Sequence, residues 1–135
     1  DDEDVRPARG QIIFIDQDPG IGHFDQTPET LTYTIPRSDV TVLGGTAQID
    51  DWGMDIRPED YDLILSKVEA LWPQLDRSKI VGEAVGLRPS RSEVRLEVEY
   101  IGEKKVVHNY GHGGAGVTLS WGCAEEVVNL VSQSA

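Results

Sequence analysis

The sequence predicts a mixed α and β fold (α+β) with a largely antiparallel sheet. Short apolar or alternating segments separated by turn residues recur along most of the chain, and each is typical of a strand. One long segment with helical spacing interrupts them. Near the end, a strand pattern leads through a glycine-rich loop into a second helical segment. The order of elements is therefore mostly strand, with two helices.

The first part of the chain contains three predicted strands. Residues 11–15 form a short apolar run that a loop rich in Asp, Pro and Gly follows. The next two strands are residues 31–35 and 40–46, and the turn composition of residues 36–39 predicts that they form an antiparallel hairpin. Residues 50–55 are a polar connector with one tryptophan.

A helical period replaces the strand pattern from Pro58 onward. Apolar residues at i, i+3, i+4 and i+7 spacing predict an amphipathic helix, and they are Tyr61, Ile64, Leu65, Val68, Leu71, Trp72 and Leu75. Pro58 suits the first turn of this helix, and Pro73 breaks it near its end.

The second part of the chain contains three further strands and a last helix. Residues 80–87 read as a strand interrupted by glycines, and apolar residues alternate with charged ones over 94–100, which indicates a half-exposed strand. A turn at 101–103 leads into a strand at 105–109 and a loop at 110–116. The last helix follows from an apolar stripe of Val117, Trp121, Ala124, Val128 and Val131. We expect Trp121, like Trp52 and Trp72, to lie in a core.

Charge and cysteine content exclude several classes of protein. The chain of 135 residues has 24 Asp plus Glu against 12 Lys plus Arg, for a net charge of −12, which repels nucleic-acid phosphates and anionic lipid headgroups. Cys123 has no second cysteine to pair with, which fits a reducing compartment. No apolar stretch approaches 18 residues. We therefore expect a soluble, cytoplasmic protein without a metal site; the last three residues do not match a peroxisomal Ser-Lys-Leu signal.

The loop Gly111–Gly116, GHGGAG, matches the G-x-G-x-x-G pattern between a strand and a helix. Only 19 residues follow it, so there is no room for the second strand of a dinucleotide-binding βαβ unit or for its acidic residue. Two interpretations stay open at this point. The glycines make a tight turn, or they let the backbone approach a flat ligand whose negative charge the helix start stabilises.

Longer strings around this loop resemble a known family. VVHNYGHGGAGVTLSWGCAEEV at residues 106–127 closely resembles the carboxyl-terminal signature of D-amino-acid oxidases and D-aspartate oxidases. VGLRPSRSEVRLE at residues 85–97 resembles the family's second landmark, and residues 9–15 and 34–52 are similar to the strands that build its substrate cover. The resemblance spans essentially the whole chain.

The resemblance implies a substrate site that contains Arg91, Tyr33 and Gly114. Arg91 aligns with the arginine that binds the substrate's α-carboxylate, and a guanidinium grips a carboxylate bidentately while it stays charged. Tyr33 aligns with the tyrosine whose hydroxyl assists that arginine. The carbonyl of Gly114 receives the substrate amine. The chain departs from the vertebrate type at Glu29, where those enzymes have a lid tyrosine, so their lid and substrate preference do not transfer.

FAD is the cofactor that the resemblance implies. The residues that face the flavin or lie beside it are expected to be Arg91, Gly113, Gly114, Ala115, Gly116, Val117 and Thr118. His108 and His112 have no acid–base role in the family, and we read both as histidines that pack in the loop. Arg88 and Arg95 are read as structural ion-pair partners because Glu93, Glu97 and Glu99 are near in sequence.

The activity implied is FAD-dependent oxidative deamination of D-amino acids, by hydride transfer from the α-carbon to the flavin. The products are 2-oxo acids, ammonia and hydrogen peroxide, and molecular oxygen is the second substrate. We expect neutral side chains to be preferred. D-Aspartate oxidase and another amine-oxidising flavoprotein stay open as alternatives, as does a noncatalytic domain of the same fold. A homodimer is compatible with the sequence.

Domain organisation follows from the same resemblance. Residues 1–85 are expected to be part of a substrate-binding domain, and residues 86–135 the last strand, loop and helix of an FAD-binding domain. The segment that binds the adenine dinucleotide end of FAD is not in these residues, and the acidic start lacks an initiator methionine. We therefore expect the chain to be part of a longer protein, or to be completed by another chain, and to be inactive alone.

Overall fold

The computed structural model describes residues 2–27 and 30–133, with the side chains of 26, 27 and 30 outside the description. The chain divides into two compact units: the larger unit (Arg9–Leu87) and the terminal unit (Asp1–Ala8 with Arg88–Ala135). The second division point lies two residues after the predicted boundary, and the first eight residues belong to the terminal unit. Whether the units are the substrate-binding and FAD-binding domains stays a prediction.

Strands build most of the larger unit. They are β1 (Arg6–Ile15), β2 (His23–Thr27), β3 (Thr30–Pro36), β4 (Thr41–Gly44), β5 (Gln48–Ile49) and β6 (Ile80–Ile101), of which β1 and β6 continue in the terminal unit. Their order is β2-β3-β4-β1-β6, with β5 on β1. The pairs β2/β3, β3/β4 and β4/β1 are antiparallel, so the predicted α+β fold and its antiparallel sheet are confirmed.

The hairpin of β3 and β4 is confirmed as predicted. Ile35 pairs with Val42, and the turn closes where Arg37 N–H donates to Val40 O at 2.9 Å. The strand β2, which pairs with β3, was not predicted. Its sequence HFDQT has neither an apolar run nor a clear alternation, so its strand conformation depends on its neighbour.

The helix α1 (Pro58–Leu71) covers the sheet of the larger unit. Pro58 occupies its first turn and the helix ends before Pro73, as predicted. The core consists of apolar residues from β1, from β4, from α1 and from the position directly after α1. They are Ile13, Ile15, Leu43, Ile64, Leu65, Val68 and Trp72. Ile80 of β6 is partly buried against them. Each fully buried side chain of this size contributes about 1.5–3 kcal/mol. Trp72 is a core residue, as predicted.

A buried arginine fixes the connector that precedes α1. Arg9 is fully buried and forms an ion pair with Asp60, Nη1 to Oδ2 at 2.5 Å. Its guanidinium also donates to Gly53 O and to Gln48 Oε1, both at 2.9 Å, and to Asp55 O at 2.5 Å. Because these partners are spread over residues 48–60, one side chain holds the whole connector against β1. No local sequence pattern predicts this arrangement.

A second ion pair, Arg57 with Asp51, lies at the surface of the same connector. The guanidinium of Arg57 donates to both carboxylate oxygens of Asp51, at 2.5 and 3.0 Å. Gly53 N–H donates to the same carboxylate at 2.8 Å. The hydrogen bond from Arg57, and then that from Gly53, lower the pKa of Asp51 from 3.8 to about 2.

We expect Asp51→Asn to lower stability near neutral pH but not in strong acid. Because the pKa of Asp51 is depressed in the folded state, its contribution is complete above about pH 4 and is lost as the pH falls through about 2. Urea unfolding midpoints of the parent and the variant should differ at about pH 6 and coincide below about pH 2. A difference that stays constant over this range would contradict the prediction.

The terminal unit contains the second half of β6, the strand β7 (Lys104–His112) and the helix α2 (Gly116–Ser132). β6 and β7 form an antiparallel hairpin whose turn includes Gly102 at φ +62°. The two strands predicted at 80–87 and 94–100 are one continuous strand with an irregularity between Ser90 and Arg95. β7 is also longer than predicted, since it includes Tyr110, Gly111 and His112, which were expected in a loop.

The apolar stripe of α2 is not buried, which corrects the prediction that it faces a core. Trp121 is 88% exposed and Val117 90% exposed, and Cys123 is the buried residue of this helix. Trp52, in the larger unit, is 71% exposed and was also wrongly predicted to be core. Helical spacing identifies an apolar face of a helix. It does not tell whether other described residues pack against that face. Within the described ranges, no helix is long and apolar enough to cross a membrane.

Candidate active site

The glycine loop forms the junction between β7 and α2. Gly111 has φ +85° and Gly113 has φ +55°, conformations that favour glycine. Gly113–Ala115 form one turn of 3-10 helix, and α2 begins at Gly116 without a side-chain cap at Ala115. The first N–H groups of α2 therefore have no capping side chain, and the glycines leave their backbone accessible to a neighbouring group.

Arg88 lies beside this loop. A methyl group on Gly114 would lie 3.6 Å from Cδ of Arg88 and 3.8 Å from its Nε, so the stem of this arginine passes next to the glycine. Arg88 is half-buried in β6. The sequence prediction read Arg88 as a structural ion-pair partner, and this stays a prediction.

Arg91 faces a different part of the terminal unit. Its stem lies over Gly111, where a methyl group would be only 2.6 Å from Cδ of Arg91. Its guanidinium forms ion pairs with two carboxylates, Nε with Asp2 at 3.2 Å and Nη2 with Asp4 at 3.3 Å, and Nη1 donates to Glu93 O. The Nε group is buried and lacks hydrogen-bond geometry with any described residue, although Asp2 is within ion-pair distance.

Tyr110 joins Asp2 to the second arginine of this cluster, Arg95. The Tyr110 hydroxyl donates to Asp2 Oδ2 at 2.6 Å and accepts from Arg95 Nη1 at 2.8 Å. The bond from Tyr110 is the main cause of the lowered pKa of Asp2. Arg95 also binds Glu97 at 2.7 Å and Glu99 at 2.8 Å, which confirms its predicted ion-pair role. An open cavity of about 550 Å³ in the terminal unit is lined by Asp2, Glu3, Arg91, Arg95, Glu97, Glu99 and Tyr110.

The two histidines near the loop make packing and ion-pair contacts. His108 Nε2 is 2.8 Å from Glu99 Oε2, and this contact, with that from Arg95, lowers the pKa of Glu99. His112 Nε2 is 3.4 Å from Cys123 Sγ in α2. Both histidines lie in β7: His108 in the part that was predicted as a strand, and His112 at its end, where a loop was expected.

Tyr33 is in β3 of the larger unit, and its ring lies against Gly44 and Gly45. A methyl group on Gly44 would overlap the ring of Tyr33, and one on Gly45 would lie 2.9 Å from its hydroxyl oxygen. On the other side Tyr33 stacks with Phe24, with ring centroids 6.0 Å apart. Tyr33 belongs to the larger unit and the glycine loop to the terminal unit. Glu29, at the position of the family's lid tyrosine, lies outside the described residues.

Comparison with known proteins identifies the family. The profile of the FAD dependent oxidoreductase family matches residues 1–130. The chain belongs to this family. It is 47% identical over 133 residues to a D-amino-acid oxidase of Rubrobacter xylanophilus, 46% identical over 136 residues to one of Dictyostelium discoideum, and 40% identical over 136 residues to a D-aspartate oxidase of Homo sapiens. These matches cover 96–98% of the chain and 39–40% of the relatives.

The resemblance to D-amino-acid and D-aspartate oxidases is thereby confirmed, and the chain spans about two fifths of the length of these relatives. Two solved structures share the fold. Glycine oxidase from Bacillus cereus superposes with a TM-score of 0.77 at 21% identity, over 93% of this chain and 35% of that one. L-alpha-Glycerophosphate oxidase from Mycoplasma pneumoniae, with FAD bound, gives 0.66 at 16% identity, over 96% and 37%.

The geometry of the loop fits the ring end of FAD, the cofactor of this family of oxidoreductases. Gly114 is exposed, so a planar ring can approach its backbone. The uncapped start of α2 offers N–H donors and a partial positive charge to the polar edge of such a ring. The exposed side chain of Val117 leaves this helix start open. These are the features that a flavin site requires of this segment.

Proposed function

We propose that the protein containing this chain oxidises D-amino acids to 2-oxo acids, ammonia and hydrogen peroxide, with molecular oxygen as second substrate. The observation that carries the proposal is the position of Arg88, an arginine that stays charged at any working pH, directly beside Gly114 at the uncapped start of α2. The similarity to D-amino-acid oxidases over nearly the whole chain supports the same reaction.

The chemistry of the bound FAD is acceptance of the α-hydrogen with its electron pair, and the chain's own residues orient the substrate. An arginine holds the α-carboxylate bidentately, the Tyr33 hydroxyl donates to the same carboxylate, and Gly114 O accepts a hydrogen bond from the amine. The α-carbon is then fixed by contacts on two sides. The glycine loop and the start of α2, Gly113–Thr118, face the ring.

The arginine that anchors the carboxylate is proposed to be Arg88. The sequence prediction assigned this role to Arg91, whose guanidinium faces Asp2 and Asp4. The stem of Arg88 is the one that lies next to Gly114. A carboxylate held at Arg88 would therefore be within reach of the glycine that binds the amine. Arg91 is the alternative anchor, and the two roles are separable by mutation.

The remaining assignments follow from the same proposal. The larger unit, residues 9–87, is proposed to supply part of the substrate-binding domain, and the terminal unit, residues 1–8 with 88–135, part of the FAD-binding domain. We also propose a cytoplasmic location, because the lone cysteine suits a reducing compartment. A homodimer is proposed as the assembly.

The proposal predicts oxidation of D-amino acids with neutral side chains and not of their L-enantiomers. The FAD-loaded protein that carries this chain should release peroxide from D-alanine, with an excess over L-alanine of at least about a hundredfold, because inversion exchanges the α-hydrogen with another substituent. Peroxide release from both enantiomers of alanine and aspartate tests this. Faster turnover of D-aspartate than of D-alanine would identify a D-aspartate oxidase, and no turnover of either would reject the proposed function.

A further inference from the structure

We propose that Gly44 and Gly45 are positioning residues for the Tyr33 hydroxyl, and so set how tightly the substrate carboxylate is held. The inference rests on the proposed function, in which Tyr33 binds that carboxylate. It concerns the larger unit alone, since all contacts involved lie within Arg9–Leu87.

Register puts Tyr33 in the middle of a row across three strands. Phe24 of β2 pairs with Tyr33 of β3, and Tyr33 pairs with Gly44 of β4. Directly paired residues of adjacent strands project from the same face of a sheet, so these three share one face. The ring of Tyr33 therefore has an aromatic neighbour on one side and a residue without a side chain on the other.

The ring occupies the space that a side chain at Gly44 would need. A Cβ on Gly44 would overlap Cζ, Cε2 and the hydroxyl oxygen of Tyr33, so only glycine is compatible with this ring position. A Cβ on Gly45 would lie 2.9 Å from the hydroxyl oxygen and 3.3 Å from Cε1 and Cζ. The backbone of Gly44 and Gly45 thus forms a flat surface on which the ring rests, up to its hydroxyl.

Two further contacts make this surface rigid. Gly45 N–H donates to Leu31 O at 3.0 Å, which ties the glycines to the strand that carries Tyr33. Leu43, next to Gly44, is fully buried in the core. Phe24 is 63% exposed, so no packed interior holds its ring against that of Tyr33. The position of the hydroxyl is consequently determined from the glycine side.

The two glycines differ in a way that permits a specific test. Alanine at position 44 would displace the whole ring, whereas alanine at position 45 comes closest to the hydroxyl oxygen. We expect Gly45→Ala to lower kcat/KM for D-alanine about ten- to a hundredfold, mainly through KM, because the hydroxyl moves away from the carboxylate. The dissociation constant of acetate, followed by the change in flavin absorbance, should rise by a similar factor.

The deciding experiment is a double-mutant cycle in the FAD-loaded protein, with Tyr33→Phe, Gly45→Ala and both together. Because Tyr33→Phe removes the hydroxyl whose displacement is the expected cause, Gly45→Ala should change kcat/KM and acetate affinity less than about threefold in that background. Gly82→Ala is the matched control, since its methyl group would meet only Phe14 Cδ2, at 3.8 Å. It should behave like the parent.

Equal effects of Gly45→Ala with and without the Tyr33 hydroxyl would overturn the inference, because the glycine would then have only a structural role. An effect of Gly45→Ala no larger than that of Gly82→Ala would overturn it as well. If the parent oxidises D-alanine but Tyr33→Phe is unaffected, Tyr33 does not bind the carboxylate and the inference fails while the reaction stands. A parent that oxidises no D-amino acid removes the proposed function itself.

Discussion

Replacing Arg88 by leucine should lower kcat/KM for D-alanine by roughly 30- to 5,000-fold, the equivalent of about 2–5 kcal/mol for loss of one partner of a buried charged contact. The reason is that, under the proposed function, the arginine beside Gly114 would contribute both to binding of the carboxylate and to alignment of the α-carbon. Leucine retains much of the apolar stem, so the loop should keep its packing. Steady-state peroxide release over a range of D-alanine concentrations measures the effect.

Arg91→Leu is the matched comparison, because it removes the other arginine of the same string. Its guanidinium interacts with Asp2 and Asp4, so we expect mainly a loss of stability of the terminal unit, with kcat/KM of the folded protein within about tenfold of the parent. FAD content should be measured for both variants, since flavin should still bind to Arg88→Leu. A large loss of kcat/KM in Arg91→Leu with little change in Arg88→Leu would return the carboxylate to Arg91.

Asp60→Asn should destabilise the larger unit by about 3–5 kcal/mol, which is the usual cost of removing one partner of a buried ion pair. Asp60 accepts from Arg9 Nη1 and, through its other oxygen, from Gln48 Nε2 at 2.8 Å. Without the carboxylate, the fully buried Arg9 loses its ion-pair partner and keeps its charge. Urea unfolding followed by tryptophan fluorescence would report the loss through the buried Trp72.

Asp62→Asn is the control for this prediction, because Asp62 is exposed on the same helix and differs by only two positions. We expect a change within about 0.5 kcal/mol for this variant, as for most surface substitutions. If both variants unfold at the same urea concentration, the contact between Arg9 and Asp60 contributes no more than a surface charge does, and the connector before α1 must be held by its backbone contacts.

How far the sequence predicted the fold depended on whether the evidence was local. The helix α1 and the β3/β4 hairpin were predicted because period, proline positions and turn residues lie within each segment. β2 was missed because its polar sequence takes strand conformation only beside β3. The environment of Arg9 could not be predicted, since its partners are up to 51 positions away in the sequence.

The candidate site shows the same limit. The strings around Arg91 and the glycine loop identified the family, and the comparisons confirm it. Arg88 and Arg91 are three positions apart, and strand geometry determines which of them lies next to Gly114. Because β6 is irregular between Ser90 and Arg95, the spacing in the sequence could not predict this. Trp121 was misplaced because an apolar residue at helical spacing was equated with burial.

The unbroken course of β6 from Ile80 to Ile101 also has a consequence for comparing and engineering chains of this fold. Side chains alternate faces along a strand, so one inserted or deleted residue between Ile80 and Arg88 would exchange the surroundings of the residues after it, up to the irregularity that begins at Ser90. The turn at Gly102 imposes no such constraint, because its residues project into solvent and its length can change without altering either strand. Gaps in an alignment of such chains belong at this turn, and grafted sequence should enter there.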